Sequence, residues 1–491
     1  MRLKKLSIID IGSNSIKVLI ATLYSDLYYD IIREEKIPFR MSQFLTTDQT
    51  FNEEGSKKLL DILSYFKHLS DYYHVDQILG IATEATRRLK NSKQLLAHIK
   101  EQFQIQVELL PGETEAYYGY LATLRTLELS DYLQIDIGGS SMEIVLVKNK
   151  KLMHAISLPL GAIATSKQFN LGTEITKEKE ENFNQLIKST YQQIPWLKEA
   201  IHLPIVGIGG TVRMISKIYR QSQGDTVKLQ HQYKLTDKNI KMVYDLLAPL
   251  SLKDRLTIKG MTKERADIVL GCLMTVQSLM DYIDCKELII NRYGIRQGLL
   301  FKHLQLPTHS VLDYSLCNLL IHFKLDEHHN DRLKQSTLTI ANQLGIKDPS
   351  SLNILKVISK LHQIGQVISA QNINKHTFHL LMNLQINGIE PKEQLMAAYA
   401  IKFLDRFNIK TEHANLLTDE DLMKCKQYSL LLQLASYLIA LNEEFNALKV
   451  NNNSIDLQFS HPIPKLYIDK INHLSTLYEE AFHRQLIINQ L

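Results

Sequence analysis

The first 300 residues alternate short apolar runs, rich in β-branched side chains, with longer segments whose apolar residues recur at helical spacing. Several strand-like runs end at turns of glycine or small polar residues. The predicted strands are Leu6–Ile11, Lys17–Leu23, Gln77–Ala82, Gln106–Leu110, Tyr132–Ile137 and Glu143–Val147, and helices are predicted over Ser56–Ser70 and from Glu113 onward. This alternation predicts an α/β fold.

One arrangement of strand, aspartate, glycine turn and strand occurs twice in this region. The segment IIDIGSNSIKVLI contains Asp10, and the segment QIDIGGSSMEIVLV contains Asp136 at the same place in the pattern. Self-similarity of this kind is most simply explained by an internal repeat. The sequence therefore predicts a duplicated domain.

The pattern changes after about residue 303, where strand-like runs become rare and long Leu/Ile periodic segments dominate. His303–Ser310, which contains Pro307, is predicted to be a linker. From residue 311 to residue 491 we expect an all-helical domain. The length of 491 residues agrees with about three domains of common size.

Composition narrows the class of protein only a little. The net charge of +5 suits an anionic ligand, although it suits ordinary solubility equally well. The four cysteines lie far apart without a CxxC pair, which indicates a reducing compartment and no zinc site or disulfide framework. No apolar run reaches the roughly 18 residues of a membrane span, and the first residues lack a signal-peptide core. We therefore expect a cytoplasmic protein.

Three turns that follow apolar strands are rich in glycine and small hydroxyl residues. Successive amides in such turns form a concave anion site, and Ser or Thr hydroxyls add donors without bulk. Two turns follow a strand-end aspartate, Asp10 or Asp136, which can hold Mg²⁺; Glu143 on the returning strand can join Asp136 at one metal. The predicted phosphate-binding residues of these turns are Ser13, Asn14, Gly138, Gly139, Ser140, Ser141, Gly209, Gly210 and Thr211.

Further candidates for catalysis lie at two predicted helix starts. In the segment PGETEAY, Glu113 and Glu115 are two residues apart, so only one of them can face a cleft, and spacing does not choose between them. Such a carboxylate can orient or deprotonate an attacking water. In the segment ATEATRR, Arg87 or Arg88 can form a fork with phosphate oxygens. The segment NRYGIRQG, residues 291–298, is interpreted as a strand-to-helix turn.

Together these stretches resemble the exopolyphosphatase / guanosine pentaphosphate phosphatase (Ppx/GppA) family of the actin, hsp70 and sugar-kinase superfamily. The matching blocks, in order, are DIGSNSIK, ATEATRRLKN, PGETEAYYGYLA, DIGGSSMEIV, GIGGTVRMISKI and YGIRQGLL, and they span roughly residues 8 to 300. The resemblance implies two ribonuclease-H-like (actin-like ATPase) domains at 1–124 and 125–302. It implies a helical HD-like domain at 311–491.

The resemblance also assigns roles to particular residues. It implies that Glu115 is the catalytic carboxylate and that the phosphate-reading arginine is Arg87 rather than Arg88. It places a metal-associated acidic pair at Asp136 and Glu143, and the cofactor it implies is Mg²⁺ or another divalent cation.

Two positions depart from the pattern of this family. The second glycine turn usually reads DIGGGS, and Ser140 replaces its third glycine, which is tolerated only if the backbone there suits a residue with a Cβ. In the helical part, His362 is followed by Gln363 where true HD phosphohydrolases carry aspartate, so a metal ligand has been lost. We expect this part to serve dimerisation or to extend a basic groove for a long anion.

The leading hypothesis is an exopolyphosphatase that removes terminal phosphate from inorganic polyphosphate by metal-assisted attack of water. The alternative within the same chemistry is hydrolysis of the 5′-terminal phosphate of guanosine pentaphosphate, a nucleotide of the stringent response. A second class is a non-catalytic regulator that binds polyphosphate or guanosine penta- and tetraphosphate. We expect a homodimer, and no nucleic-acid partner.

Overall fold

The computed structural model describes residues 3–225, 227–305, 309–407, 413, 415–441 and 445–490. The chain forms two compact units: unit 1 consists of residues 1–224 and 230–308, and unit 2 of residues 225–229 and 309–491. Residues 306–308 of the predicted linker lie outside the described part. Among the described residues, no helix combines the length and the apolarity needed to cross a membrane.

The first half of unit 1 is built on a five-stranded sheet with the order β3-β2-β1-β4-β5. Its elements are β1 (Lys4–Ile11), β2 (Ser15–Leu23), β3 (Tyr29–Pro38), a 3₁₀ turn (Met41–Gln43), α1 (Glu53–Tyr72), β4 (Gln77–Ala82), α2 (Glu84–Arg87), α3 (Ser92–Phe103), β5 (Val107–Leu109) and α4 (Gly112–Leu124).

The second half of unit 1 is built on a six-stranded sheet with the order β10-β11-β9-β6-β7-β8. Its elements are β6 (Tyr132–Ile137), β7 (Met142–Lys148), β8 (Lys151–Leu158), α5 (Ala162–Gln168), α6 (Lys177–Gln192), a 3₁₀ helix (Pro195–Ala200), β9 (Ile205–Ile208), α7 (Gly210–Ser222), β10 (Lys234–Thr236), α8 (Asp237–Leu247), α9 (Leu252–Arg255), α10 (Val269–Tyr282), β11 (Glu287–Ile290) and α11 (Ile295–Lys302).

The two halves share one topology, which confirms the predicted duplication. In each half the first strand pairs antiparallel with the second, the second antiparallel with the third, and the first parallel with the next strand of the sheet. Even the register repeats, since Asp10 faces Lys17 and Asp136 faces Glu143. Two strand-end aspartates therefore occupy equivalent positions in the two sheets.

Helix α4 lies at the end of the first half in sequence but packs on the second sheet. Ala116 and Tyr120 belong to one apolar cluster with Val145, Val206 and Ile289, which lie on strands of the second sheet. Helix α4 also packs closely on α11, where a Cβ built at Gly298 would lie 1.8 Å from the carbonyl oxygen of Tyr118. This crossing carries the residues at the start of α4 to the second sheet.

Unit 2 is mainly helical, but the predicted all-helical domain is wrong in one part, because three strands form the sheet β12-β13-β14. Ile455, Leu457 and Phe459 are buried in alternation with less buried residues, a period of two that the longer Leu/Ile periodicity concealed. The elements are α12 (Val311–Phe323), α13 (Glu327–Gln343), α14 (Pro349–Leu361), a 3₁₀ turn (Ile364–Val367), α15 (Ile373–Leu381), α16 (Pro391–Lys402), α17 (Asp419–Ala440), β12 (Phe445–Val450), β13 (Ser454–Phe459), α18 (Lys465–Phe482) and β14 (Gln485–Gln490).

Candidate active site

A cleft of about 230 Å³ in unit 1 is lined by the turns at the ends of β1, β6 and β9. Strands β1 and β6 are the first strands of the two halves, and β9 lies beside β6. The turns meet because the carboxyl ends of these strands lie at one edge of each sheet. The cleft brings together all the predicted turn residues: Ser13, Asn14, Gly138, Gly139, Ser140, Ser141, Gly209, Gly210 and Thr211.

The turns approach one another closely across this cleft. A Cβ at Gly139 would lie 2.3 Å from the Oγ of Ser13, so only glycine allows the first and second turns to touch. Gly209 has φ of +112°, a backbone conformation that favours glycine. Ser140, by contrast, does not adopt positive φ, so the serine that departs from the family pattern is accommodated without backbone strain.

Two carboxylates face each other on the second sheet. Asp136 on β6 is directly opposite Glu143 on β7, and Glu143 accepts a hydrogen bond of 2.8 Å from the Oγ of Ser157. Burial, with a contribution from Asp10, raises the pKa of Asp136 to about 6, although Lys17 opposes this shift. Burial, together with the charges of Glu115 and Asp136, raises the pKa of Glu143 to about 8.

Glu115 lies in the first turn of α4 and is only 8% exposed, whereas Glu113 is exposed to solvent. The structure thus favours Glu115 for the cleft, which spacing alone did not decide. Burial raises the pKa of Glu115 to about 7, even though Arg87 lowers it, and the charges of Asp10 and Asp136 add to the rise. A carboxyl group with such a pKa can exchange protons near neutral pH.

Arg87 is held by protein carboxylates rather than presented to the cleft. Its Nη1 donates to Glu115 at 2.5 Å and also to the carbonyl of Leu110, and its Nε donates to Glu84 at 3.0 Å. Arg88 donates to the same Glu84 at 2.7 Å. In this arrangement Arg87 orients the carboxylate of Glu115.

The first sheet presents a cation, Lys17, at the position where the second sheet presents the carboxylate of Glu143. Lys17 donates to Asp10 at 3.1 Å, so this aspartate, predicted as a metal ligand, is paired with an ammonium group. Lys36 is opposite Lys17 on the neighbouring strand, and burial, with the charges of Arg265 and Lys17, lowers the pKa of Lys36 to about 8. All three side chains, Asp10, Lys17 and Lys36, line the cleft.

Four arginines also line the cleft, and sequence reasoning assigned none of them to it. Arg213 is partly buried, and this burial, together with the charges of Arg292, Arg265 and Arg296, lowers its pKa to about 10. Three of these arginines belong to segments already marked by motifs, because Arg213 follows the third glycine turn and Arg292 and Arg296 belong to NRYGIRQG. Their placement after strand ends was the signal that could have identified them. Arg265 lies in a segment without a motif.

The donor set of the second sheet fits a hard divalent cation. Such ions prefer oxygen ligands, and Mg²⁺ commonly takes one or two carboxylates and completes its shell with water and phosphate oxygens. The pair formed by the partly buried Asp136 and the buried Glu143 matches that requirement, and the pKa values of both groups are raised by burial and neighbouring negative charge. Among the described residues no group of three or more His, Cys, Asp or Glu side chains is arranged to hold a metal by itself.

Comparison with known families gives matches over most of the chain. The model of the Ppx/GppA phosphatase family matches residues 20–306, and the model of Ppx/GppA phosphatase domain III matches residues 311–461. Proteins named guanosine-5′-triphosphate,3′-diphosphate pyrophosphatase are similar: the one from Pseudoalteromonas translucida is 23% identical over 79% of this chain and 78% of its own, and the one from Photobacterium profundum is 22% identical over 83% and 82%.

Solved structures confirm the predicted actin-like α/β architecture. An exopolyphosphatase from Cytophaga hutchinsonii superposes with a TM-score of 0.57 at 20% identity, covering 62% of this chain and 99% of its own. A Ppx-GppA enzyme from Aquifex aeolicus superposes with a TM-score of 0.55 at 25% identity, covering 61% and 100%.

Proposed function

Because this chain belongs to the Ppx/GppA phosphatase family, we propose that it hydrolyses the terminal phosphoanhydride bond of inorganic polyphosphate. The observation that carries this proposal is the composition of the cleft. Buried carboxylates lie on the side of the second sheet, and two lysines and four arginines line the same cavity. A polyanion with a reactive terminal phosphate needs both kinds of charge.

The three glycine turns hold the terminal phosphoryl group in this proposal. Their backbone amides, together with the hydroxyls of Ser13 and Thr211, donate hydrogen bonds to its oxygens. Asp136 and Glu143 are the residues that hold a divalent cation. When bound, this cation neutralises the charge that develops on the phosphoryl oxygens.

Glu115 orients the attacking water and accepts its proton. Its pKa of about 7 leaves the carboxylate partly ionised at neutral pH and basic enough to receive that proton. Arg87 holds the carboxylate in place through the contact of 2.5 Å. Cations at the third turn, Arg213 and Arg265, balance the negative charge of the departing polyphosphate chain.

A second substrate has specific support. The similar proteins from Pseudoalteromonas translucida and Photobacterium profundum carry the name guanosine-5′-triphosphate,3′-diphosphate pyrophosphatase. Guanosine pentaphosphate ends in the same phosphoanhydride, so the same carboxylates and turns act on it. Polyphosphate remains our first proposal because the cationic lining suits a longer anion.

The deciding experiment measures phosphate release from long-chain polyphosphate and from guanosine pentaphosphate with Mg²⁺ present. We expect faster release from polyphosphate, and Glu115→Gln to lower the rate by about 1,000-fold, the scale of general base catalysis. Glu113→Gln is the matched control, because Glu113 is exposed. Faster release from guanosine pentaphosphate would select the alternative, and tight binding without release would select the non-catalytic regulator.

We also propose a cytoplasmic homodimer, in which unit 2 is a degenerate HD-like domain that serves dimerisation or the binding of a long anion. The free state of all four cysteines supports a reducing compartment. The presence of Gln363 after His362, where an HD-type site needs aspartate, supports loss of a metal ligand in this domain. Sedimentation equilibrium tests the dimer, and a monomer at micromolar concentration would refute it.

A further inference from the structure

One ion pair connects the two halves of unit 1 beside the cleft. Arg40 Nη1 donates to Asp267 Oδ2 at 2.9 Å, and Arg40 Nη2 donates to Asp267 Oδ1, also at 2.9 Å. The same Nη2 donates to the carbonyl of Glu264 at 2.6 Å. Arg40 and Asp267 are 227 positions apart in sequence, and the guanidinium contacts the distant segment at two residues, Glu264 and Asp267.

The backbone on both sides of Arg40 is bonded to the first glycine turn. The amide of Met41 donates to the carbonyl of Ser13 at 2.9 Å, and the amide of Phe39 donates to the carbonyl of Asn14 at 3.0 Å. These two hydrogen bonds therefore fix the backbone of Arg40 relative to the first glycine turn.

The other end of the ion pair flanks a residue of the cleft. Glu264 and Asp267, the two residues that Arg40 contacts, lie on either side of Arg265, and Arg265 lines the cleft. The guanidinium of Arg265 lies on Gly210 of the third turn, where a Cβ would be 2.0 Å from its Nη2. The position of Arg265 thus depends on a segment that Arg40 holds.

We propose that Arg40 and Asp267 are positioning residues that fix Arg265 over the third glycine turn and tie its segment to the first. This role rests on the proposed function, because Arg265 affects the rate by balancing the negative charge of the bound polyanion. Arg40 and Asp267 do not line the cleft themselves. They act through Arg265.

The expected sizes of the effects on stability and on rate distinguish a positioning role from simple stabilisation of the fold. The two side chains are partly exposed, 25% for Arg40 and 33% for Asp267, and such ion pairs add little to stability. Misplacing a group that aligns a substrate, by contrast, lowers rates by about tenfold to 100-fold. Loss of the pair should therefore affect activity more than the unfolding midpoint.

The test compares Arg40→Gln in the wild-type background and in Arg265→Gln. We expect Arg40→Gln to lower kcat/KM for polyphosphate about tenfold in the wild type and to have no further effect once Arg265 is absent. Arg40→Lys should recover part of the loss, since a lysine keeps one contact of the fork. Arg33→Gln, which removes the exposed ion pair with Glu35, is the matched control. Equal losses in both backgrounds would overturn the proposal.

A second readout does not depend on any substrate. The amides of Ile268 and Val269 donate to the carbonyl of Arg265, so their hydrogen exchange reports the order of that segment. In Arg40→Gln we expect these two amides to exchange several-fold faster in the free protein, and unchanged exchange would refute the positioning role. If the wild type releases no phosphate, the proposed function fails, and the exchange rates alone decide the positioning role.

Discussion

The two halves of unit 1 carry the same aspartate at the end of the first strand but opposite charges at the position that faces it, Lys17 in one half and Glu143 in the other. In each half an aspartate at the end of the first strand faces a residue on the second strand, and that residue faces one on the third. The first half carries Asp10, Lys17 and Lys36 along this line, and the second half carries Asp136, Glu143 and Ser157.

This difference shows how two halves with the same strand arrangement form a cleft whose charge is distributed asymmetrically. In the first half the aspartate is neutralised by an ammonium 3.1 Å away. In the second half the aspartate faces another carboxylate, and burial raises the pKa of both groups. One half thus lines the cleft with lysine ammonium groups, which suit the proposed anion, and the other with a carboxylate pair, which suits the proposed cation. A metal-assisted reaction on a phosphate chain requires both.

The largest expected effect on activity comes from placing a lysine in the second half at the position that Lys17 occupies in the first. Glu143→Lys places an ammonium opposite Asp136, as Lys17 stands opposite Asp10. We expect Mg²⁺-dependent phosphate release to fall on the order of 1,000-fold, because one of the two proposed carboxylate ligands is replaced by an ammonium group that repels the cation. Steady-state phosphate release measures this, with Glu181→Lys on the exposed face of α6 as control. A variant that kept a tenth of wild-type activity would contradict the assigned asymmetry.

The reverse exchange should have a smaller effect. Lys17→Glu removes a cation from the cleft and leaves Asp10 facing a like charge. We expect kcat/KM for polyphosphate to fall about 100-fold, mainly through a higher KM, since binding of the anion is weakened. Initial rates over a range of polyphosphate concentrations test this, and Lys57→Glu, on an exposed face of α1, is the control. A change confined to kcat would count against the anion-binding role.

The raised pKa values of the carboxylates in the second half should make stability depend on pH. Burial raises the pKa of Asp136 to about 6 and of Glu143 to about 8, so the native state keeps protons that the unfolded chain has already released. The stability linked to these protons is fully present at acidic pH below the unfolded pKa values and is lost as pH rises to about 8. Urea unfolding with a chelator present should show this decline.

Substitution of Glu143 then locates the source of that decline. In Glu143→Gln the fall in stability between pH 5 and pH 8 should be shallower, because the group with the higher pKa no longer titrates. A wild-type profile without any fall over this range would refute the assignment.

The smallest expected effect concerns the hydroxyl of the second half. Ser157→Ala removes the hydrogen bond of 2.8 Å to Glu143 and leaves the two carboxylates in place. We expect a fall in kcat of about fivefold, in line with one lost hydrogen bond of about 1 kcal/mol. Ser189→Ala, in the exposed part of α6, is the control. Unchanged kinetics would show that the orientation of Glu143 does not depend on this contact.

Local chemistry in the sequence was enough to predict the repeated fold and the turns of the cleft. Glycine turns after apolar strands can be recognised from the local sequence alone, and the same pattern places Asp10 and Asp136 at strand ends. The buried position of Glu115 was left open by spacing and was indicated by the resemblance. These residues all lie within short segments whose conformation is set nearby.

What the sequence did not predict depends on contacts between distant segments. Arg265 reaches the cleft only because the segment that contains it packs beside the third turn, and no local pattern marks that packing. The contact of 2.5 Å between Arg87 and Glu115 likewise joins segments that are 28 positions apart, and no local pattern marks it. The strands of unit 2 were missed because Ser454–Phe459 is short and follows a long helical periodicity.

The crossing of α4 onto the second sheet has a consequence for the first half of unit 1. A fragment that ended after residue 124 would contain Glu115 but would lack the strands on which α4 packs, including Val145 and Val206. The first half alone therefore lacks the surface on which its own last helix is buried. Exchange of the first half alone would separate Glu115, the proposed catalytic carboxylate, from the strands that support α4.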